Sequence, residues 1–151
     1  MLTNFVDFIS LLFVSLVVGS MFGVWLGLNP FDLPAAVYVA QHQQLVRGLN
    51  VALPVLGAVG IAFTLAAAFV ARDQPARLTL LLGTAACLIV AGLVTRFLNQ
   101  PINAIVMTWS ADSPPANWMQ LRADWWRWHV VRAGAGVVGL CLLIAATLRR
   151  G

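Results

Sequence analysis

The stretch Trp118-Met-Gln-Leu-Arg-Ala-Asp-Trp-Trp-Arg-Trp-His-Val-Val-Arg132 runs without a break into the apolar segment 133–148. Polar chemistry is thereby carried into a run long enough to enter a bilayer. At about 100° per residue, Trp118, Arg122, Trp125, Trp126, His129, Arg132 and Gly136 fall on one helix face, an arc of about 120°. An ionisable group at membrane depth costs from about 3 to more than 10 kcal/mol unless it is paired or wet. Arg122, His129 and Arg132 are therefore expected to point into the interior of a bundle.

The rest of the chain agrees with that reading. It is 61% hydrophobic and 9% charged, where a soluble domain carries roughly 25% charged residues. Four apolar stretches, 5–28, 51–71, 78–98 and 130–148, are long enough to cross a bilayer core, which takes about 20 helical residues. The expected fold is all-α, a single four-helix transmembrane bundle over 1–151, with helices at approximately 5–28, 36–71, 77–104 and 118–148. The first apolar run is followed by Gly-Leu-Asn-Pro rather than by a small-residue cleavage site, and reads as a permanent span.

All the positive charge is arginine, for the chain has no Lys and no Glu. A carboxylate-bridged di-iron bundle needs glutamates, a Schiff base needs lysine, and a three-histidine zinc site needs more than His42 and His129. No metal site is expected. Cys87 and Cys141 lie in mid-span and read as small buried hydrophobes. The net charge of +4 is spread over helix ends rather than gathered in a basic domain, so no nucleic-acid partner is expected.

Along the chain, Gly19, Gly23 and Gly27 form overlapping Gly-x-x-x-Gly repeats, expected to admit another backbone or a flat ligand. Asn29-Pro30 and Pro34 end the first helix. Gln43, Arg47, Asn50, Pro54 and Gly57 share a face of the second, while His42 lies about 80° from Asn50 and off that face. The turn 71–77 makes the second and third helices antiparallel neighbours. Arg96, Asn99, Gln100 and Asn103 share a face of the third, where Pro101 is expected to leave a carbonyl near Phe97 free and to kink the helix. Asn117 is a candidate cap for the fourth.

Counting spans puts residues 43–50, 96–103 and 122–132 on one side of the membrane. Three helices then deliver polar faces to one depth, and a pocket beside the 110–117 loop is expected, bounded by Asn99, Asn103, Arg122, Trp125, His129 and Arg132. Arg72, Arg77, Arg149 and Arg150 lie on the opposite side. If the arginines of the pocket side, Arg47, Arg96, Arg122, Arg127 and Arg132, serve mostly the site, the positive-inside rule puts both termini in the cytoplasm of a bacterial inner membrane.

Asn99-x-Pro101-x-Asn103 with Trp109 six residues on, then Trp118-x-x-Leu-Arg122-x-x-Trp125 and His129-x-x-Arg132, resembles the anthrone-oxygenase-like family of small four-helix membrane proteins. The resemblance implies an oxygenase that inserts oxygen at an activated carbon of a polycyclic phenol, proposed to work without a bound cofactor. Characterised members of that family act on polyketides.

The residues themselves leave three classes of function open. In an oxygenase, His129 is the base, and the cations Arg122 and Arg132 disfavour imidazolium and keep the ring able to accept a proton. The same arginines hold the oxyanion, Asn99 and Asn103 add amide donors, and Trp125 and Trp109 wall a flat ring. Gln43, Arg47, Asn50 and Arg96 complete the substrate-binding set for a small hydrophobic or anionic substrate. In a haem b protein, His129, with His42 as a second candidate, would be the axial ligand, and arginines would meet the propionates. The third class is a non-enzymatic module binding membrane lipid or an anion, purified as a homo-oligomer. Against these stand plainer readings: Trp118 and Trp128 as an aromatic belt, Arg127 and Asp124 as solvated or headgroup contacts, His42 as an interfacial histidine, and a structural Arg–Asn network locking the bundle.

Overall fold

The computed structural model describes residues 1–149, so Arg150, counted above for orientation, lies outside the described residues. The order of elements is α1 (Leu2–Gly27), a 3₁₀ turn (Pro30–Asp32), α2 (Ala35–Leu49), α3 (Ala52–Val70), α4 (Pro75–Val94), a π-helical turn (Thr95–Asn99), α5 (Gln100–Val106) and α6 (Trp118–Leu148). Four segments are long and apolar enough to cross a membrane: Leu2–Asp32, Ala52–Val70, Pro75–Val106 and Trp118–Leu148. The chain is an integral membrane protein with an all-α bundle. Neighbours in the bundle are α1 with α3, α3 with α4, α4 with α6, and α6 with α1.

Connections 28–51 and 107–117 fall on one end, called here the loop side, and the 71–74 turn falls on the other, the turn side. The helix expected to run unbroken over 36–71 is two helices, interrupted at Asn50–Val51. Pro54 supplies the reason. It has no N–H to offer the Asn50 carbonyl four residues back, and Gln100 Nε2 donates to that carbonyl instead, at 3.1 Å. Freed from α3, the 15-residue α2 lies outside the four spans and packs on α5 at the loop side.

Lipid tails are as apolar as leucine, so the bundle must be held by close packing and polar contacts rather than by hydrophobic exclusion. The glycines that serve this purpose are not the ones the sequence pattern suggested. A Cβ at Gly19, Gly23 or Gly27 would have nothing within 4 Å, and these positions lie exposed on α1. The close crossings are elsewhere. A Cβ at Gly60 would sit 3.1 Å from Val14 Cγ2 and 3.5 Å from the Val14 backbone nitrogen, where α3 meets α1. Gly136 faces Val18 and Met21 of α1, and Gly139 faces Cys87 of α4. Gly60→Leu is expected to cost about 1–3 kcal/mol by overpacking against a stiff β-branched neighbour, whereas Gly23→Ala leaves stability unchanged or raised. Thermal unfolding of the two variants in one detergent compares them directly.

At the turn side, Arg77 NH2 meets both carboxylate oxygens of Asp7 at 2.8 and 2.6 Å, with Arg77 2% and Asp7 0% exposed. Arg77 is therefore a buried structural cation and drops out of the surface charge that orients the chain. Cys87 is partly buried, but Cys141 is exposed on the outside of the bundle, correcting its reading as a core residue. Asn117 sits at the N-cap position of α6, yet its side chain makes no capping bond.

Candidate functional site

Two prolines shape the loop-side end of the bundle. Pro101 cannot donate to the Phe97 carbonyl, and the chain absorbs this loss in the π turn Thr95–Asn99, closed by Gln100 N–H on the Thr95 carbonyl. Turns of this kind are frequent at functional sites because they re-aim side chains. Here Arg96, Gln100 and Asn103 face a cavity, while Asn99 turns aside and donates through Nδ2 to the Trp125 carbonyl at 3.0 Å.

The centre of the polar cluster is the Asn103 amide. Its Oδ1 accepts from Trp125 Nε1 at 2.8 Å and lies 3.1 Å from His42 Nε2, and its Nδ2 donates to Asn50 Oδ1 at 2.8 Å. An indole N–H can only donate, so it fixes which end of the amide faces Trp125. His42 must then be protonated at Nε2 to donate to the same oxygen, leaving its Nδ1 lone pair buried without a partner. One amide thus joins α2, α5, α6 and the Asn50 break.

His42 was expected off the polar face. It is 1% exposed, with its ring edge-on to Trp125 at 4.7 Å between centroids. Burial, and secondarily the charge of Arg132, outweigh the Asn103 bond and hold the imidazole down at about 4. The sign of the resulting pH effect follows. The unfolded histidine, near 6.5, takes up a proton before the folded one does, so stability falls as pH drops from 6.5 toward 4. Melting temperatures measured across that window are expected to decline in the wild type, and less steeply in His42→Gln. Tyr38, one turn earlier on α2, is also buried, its Oη has no partner, and burial pushes its phenol up.

His129 is 0% exposed and stacks on Trp125 at 5.1 Å with an interplanar angle of 8°. Its Nε2 lies 3.1 Å from the Met21 carbonyl, which can only accept, so that nitrogen carries the proton. Nδ1 is left as the basic atom and accepts from Arg132 Nε at 3.3 Å and Arg132 NH2 at 3.0 Å. Arg132 NH1 donates to Thr95 Oγ1 at 3.3 Å. The guanidinium is thereby set between α6 and the π turn.

Trp125, His129, Arg132, Asn103, Gln100, Asn50, Thr95 and Arg96 form the polar end of a cavity of about 280 Å³, whose remaining wall is apolar, from Val17 and Met21 through Ile61 to Leu88. Of the six residues expected to bound one pocket, Asn103, Trp125, His129 and Arg132 line it, while Asn99 and Arg122 do not. Arg122 NH1 donates to the Pro30 carbonyl at 3.0 Å, and its guanidinium lies over Phe31 and Trp118 at 4.9 and 4.6 Å. It pins the 3₁₀ turn onto the start of α6. Gln43 clasps the end of α5, donating to the Val106 and Trp109 carbonyls at 3.0 and 2.9 Å, and Arg47 bonds to Gln43 at its exposed side. Trp109 packs against the cluster of Ile102, Val106 and Trp125, away from the cavity lining. Thr95 and Gln100 line the cavity but were not among the expected ligand contacts. Their signal in sequence is the Pro101 that forces the turn carrying them.

The donor set does not fit haem. His129 Nε2 is tied to the Met21 carbonyl, His42, whose Nδ1 has no partner, is not among the residues lining the cavity, the Trp125 indole packs against both histidine rings, and Gly19, Gly23 and Gly27 face outward rather than into the cavity. Among the described residues, no three His, Cys, Asp or Glu side chains come together in a metal-binding group.

No curated protein and no solved structure matches the chain. A family match does exist, and it spans α3, α4, the π turn, α5 and most of α6 together with the second half of α2, so that every polar residue lining the cavity lies inside it. Covering residues 43–142 of the 151, the match is to anthrone oxygenase, and the chain belongs to the anthrone oxygenase family.

Proposed function

We propose that the protein is a membrane oxygenase that oxidises a hydrophobic, ring-containing small molecule with an acidic C–H or O–H bond, using molecular oxygen. The observation that carries this reading is the basic nitrogen His129 Nδ1 held against the Arg132 guanidinium at the polar end of an apolar chamber. In the resting arrangement Arg132 occupies that lone pair. A substrate oxygen that draws the guanidinium away exposes Nδ1 beside the substrate proton, so that base and oxyanion stabiliser are engaged by the same event.

The sequence of steps balances with oxygen as the only oxidant. The proton of the activated carbon passes to Nδ1, and the negative charge left on the substrate oxygen rests on Arg132. The carbanion gives one electron to oxygen, and the radical pair joins as a C–O bond. The peroxide takes back the proton and loses water to leave a carbonyl. Trp125 supplies a flat wall for the ring, and exclusion of water strengthens each electrostatic contact. Asn103 adds an oriented amide, while Asn99 and Arg122 act on the site only by fixing α6 and the 3₁₀ turn. The orientation that accompanies this reading keeps both termini cytoplasmic and opens the cavity end outward.

The test is aerobic conversion of anthrone by the protein purified in detergent, with no cofactor added, following oxygen uptake and product absorbance. Turnover above that of protein-free detergent, lost under anaerobic conditions, is expected. Uptake equal to the protein-free rate would remove the oxygenase reading and leave a lipid- or anion-binding module.

A further inference from the structure

Every described carboxylate of this chain is placed away from the cavity's cations. Asp7 is bound to Arg77, Asp73 to Arg72 and Asp124 to Arg127; Asp32 accepts from Asn29; Asp112 is exposed in the 107–117 loop. Two guanidiniums nevertheless line the cavity, Arg96 and Arg132. Arg132 donates only to neutral acceptors, His129 Nδ1 and Thr95 Oγ1, and those contacts leave part of its five-donor fork unused. Arg96 is exposed at the rim of the cavity and reaches only the Gln100 amide, at 3.5 Å. A cation at membrane depth requires a counter-charge or water, and the surrounding wall of Val17, Val24, Leu53, Ile61 and Leu88 is poor company for water.

We propose that the missing charge arrives with the ligand: the cavity binds an anionic amphiphile, a carboxylate or phenolate head held between Arg132 and Arg96, with its apolar body along α1, α3 and α4. This deepens the oxygenase reading and rests on it for the identity of the cavity as the substrate site. Inorganic anions fit the arginines but leave the apolar chamber unfilled, and neutral hydrocarbons fill the chamber but leave both cations bare. An acid with an apolar body satisfies both.

The head-group chemistry can come from an aromatic acid or from a fatty acid of the bilayer, and paired probes separate them. Tryptophan-to-anthracene energy transfer reports binding of 9-anthracenecarboxylate and of its methyl ester to the protein in phosphatidylcholine vesicles, corrected for partition into protein-free vesicles. Oleate and methyl oleate serve as competitors. The acid is expected to bind about tenfold or more tighter than the ester, since a charge-assisted pair is lost in the ester. Arg132→Gln should bring the ratio close to unity and Arg96→Gln should reduce it, while Arg127→Gln, which alters an exposed arginine outside the cavity, preserves it. Displacement by oleate but not methyl oleate would show that the site also takes lipid acids; failure of oleate to compete would restrict the class to aromatic acids.

Equal affinity for acid and ester on the wild type overturns the proposal, and so does a ratio untouched in Arg132→Gln. Because the wild-type ratio is decisive by itself, a variant that fails to fold does not rescue it. The oxygen-uptake assay reads the other claim separately: acid preference without anthrone turnover keeps the anion site and removes the oxygenase, and turnover without acid preference does the reverse.

Discussion

Asp7→Ala is expected to lower the unfolding free energy in detergent by about 3–5 kcal/mol, because it leaves the Arg77 guanidinium buried without its counter-charge. The pair is 2.6 Å apart and almost wholly enclosed, and it ties the start of α1 to the start of α4, helices that are not neighbours around the bundle. Removing one partner costs more than removing both, since a lone buried cation loses its attraction and keeps its desolvation penalty. The double replacement Asp7→Leu with Arg77→Met should therefore recover most of the loss. Denaturant titrations of the wild type, the single variant and the double variant measure this in one series. A single variant within about 1 kcal/mol of the wild type would show the pair to be wet, behaving as an exposed ion pair does.

The second large effect is on activity. His129→Gln keeps a side chain of similar reach that can still donate to the Met21 carbonyl, but it has no basic nitrogen for a substrate proton. If Nδ1 is the base, anthrone turnover falls by about 10²–10⁴-fold, with a melting temperature close to that of the wild type. Asn99→Ala provides the contrast. It removes a contact to the Trp125 carbonyl without touching the cavity, so any loss should appear in stability before turnover. Wild-type turnover in His129→Gln would move the base elsewhere, and His42, whose Nδ1 has no partner, is the residue to examine next.

The span count, the loop side and the inward face of α6 were legible because they rest on periodicity over long apolar runs, where length and phase accumulate. His129, Arg132 and Trp125 followed from that face, and Asn103 from its spacing to Asn99. What was not legible depends on partners remote in sequence or on breaks in phase. Asp7 and Arg77 are separated by 70 residues, and nothing local couples them, although an acid inside the apolar run 5–28 was a visible signal. His42 lies about 80° from Asn50 on α2, yet both side chains reach the same Asn103 amide of α5, a partner that no wheel of α2 alone contains. Arg122 shares the face of His129 but meets a carbonyl on the 3₁₀ turn, whose position no helical wheel contains. The Gly-x-x-x-Gly pattern suggests close approach of a backbone or a flat ligand, yet it records only the small size of its residues, and the tight crossings fall at Gly60, Gly136 and Gly139.

The π turn can also be read as arithmetic. It contains one residue more than an α-helical turn needs, and one residue is about 100° of rotation. Everything after it, including Asn103, is delivered to its partners with that rotation added. Asn103 meets Trp125, His42 and Asn50 only in the advanced phase, so a chain with every side chain of the cluster but one residue fewer between Val94 and Gln100 would aim the amide at a different neighbour. Spacing is in this sense a component of the site, inherited or lost as a single codon, and invisible to any comparison that counts only which residues are present.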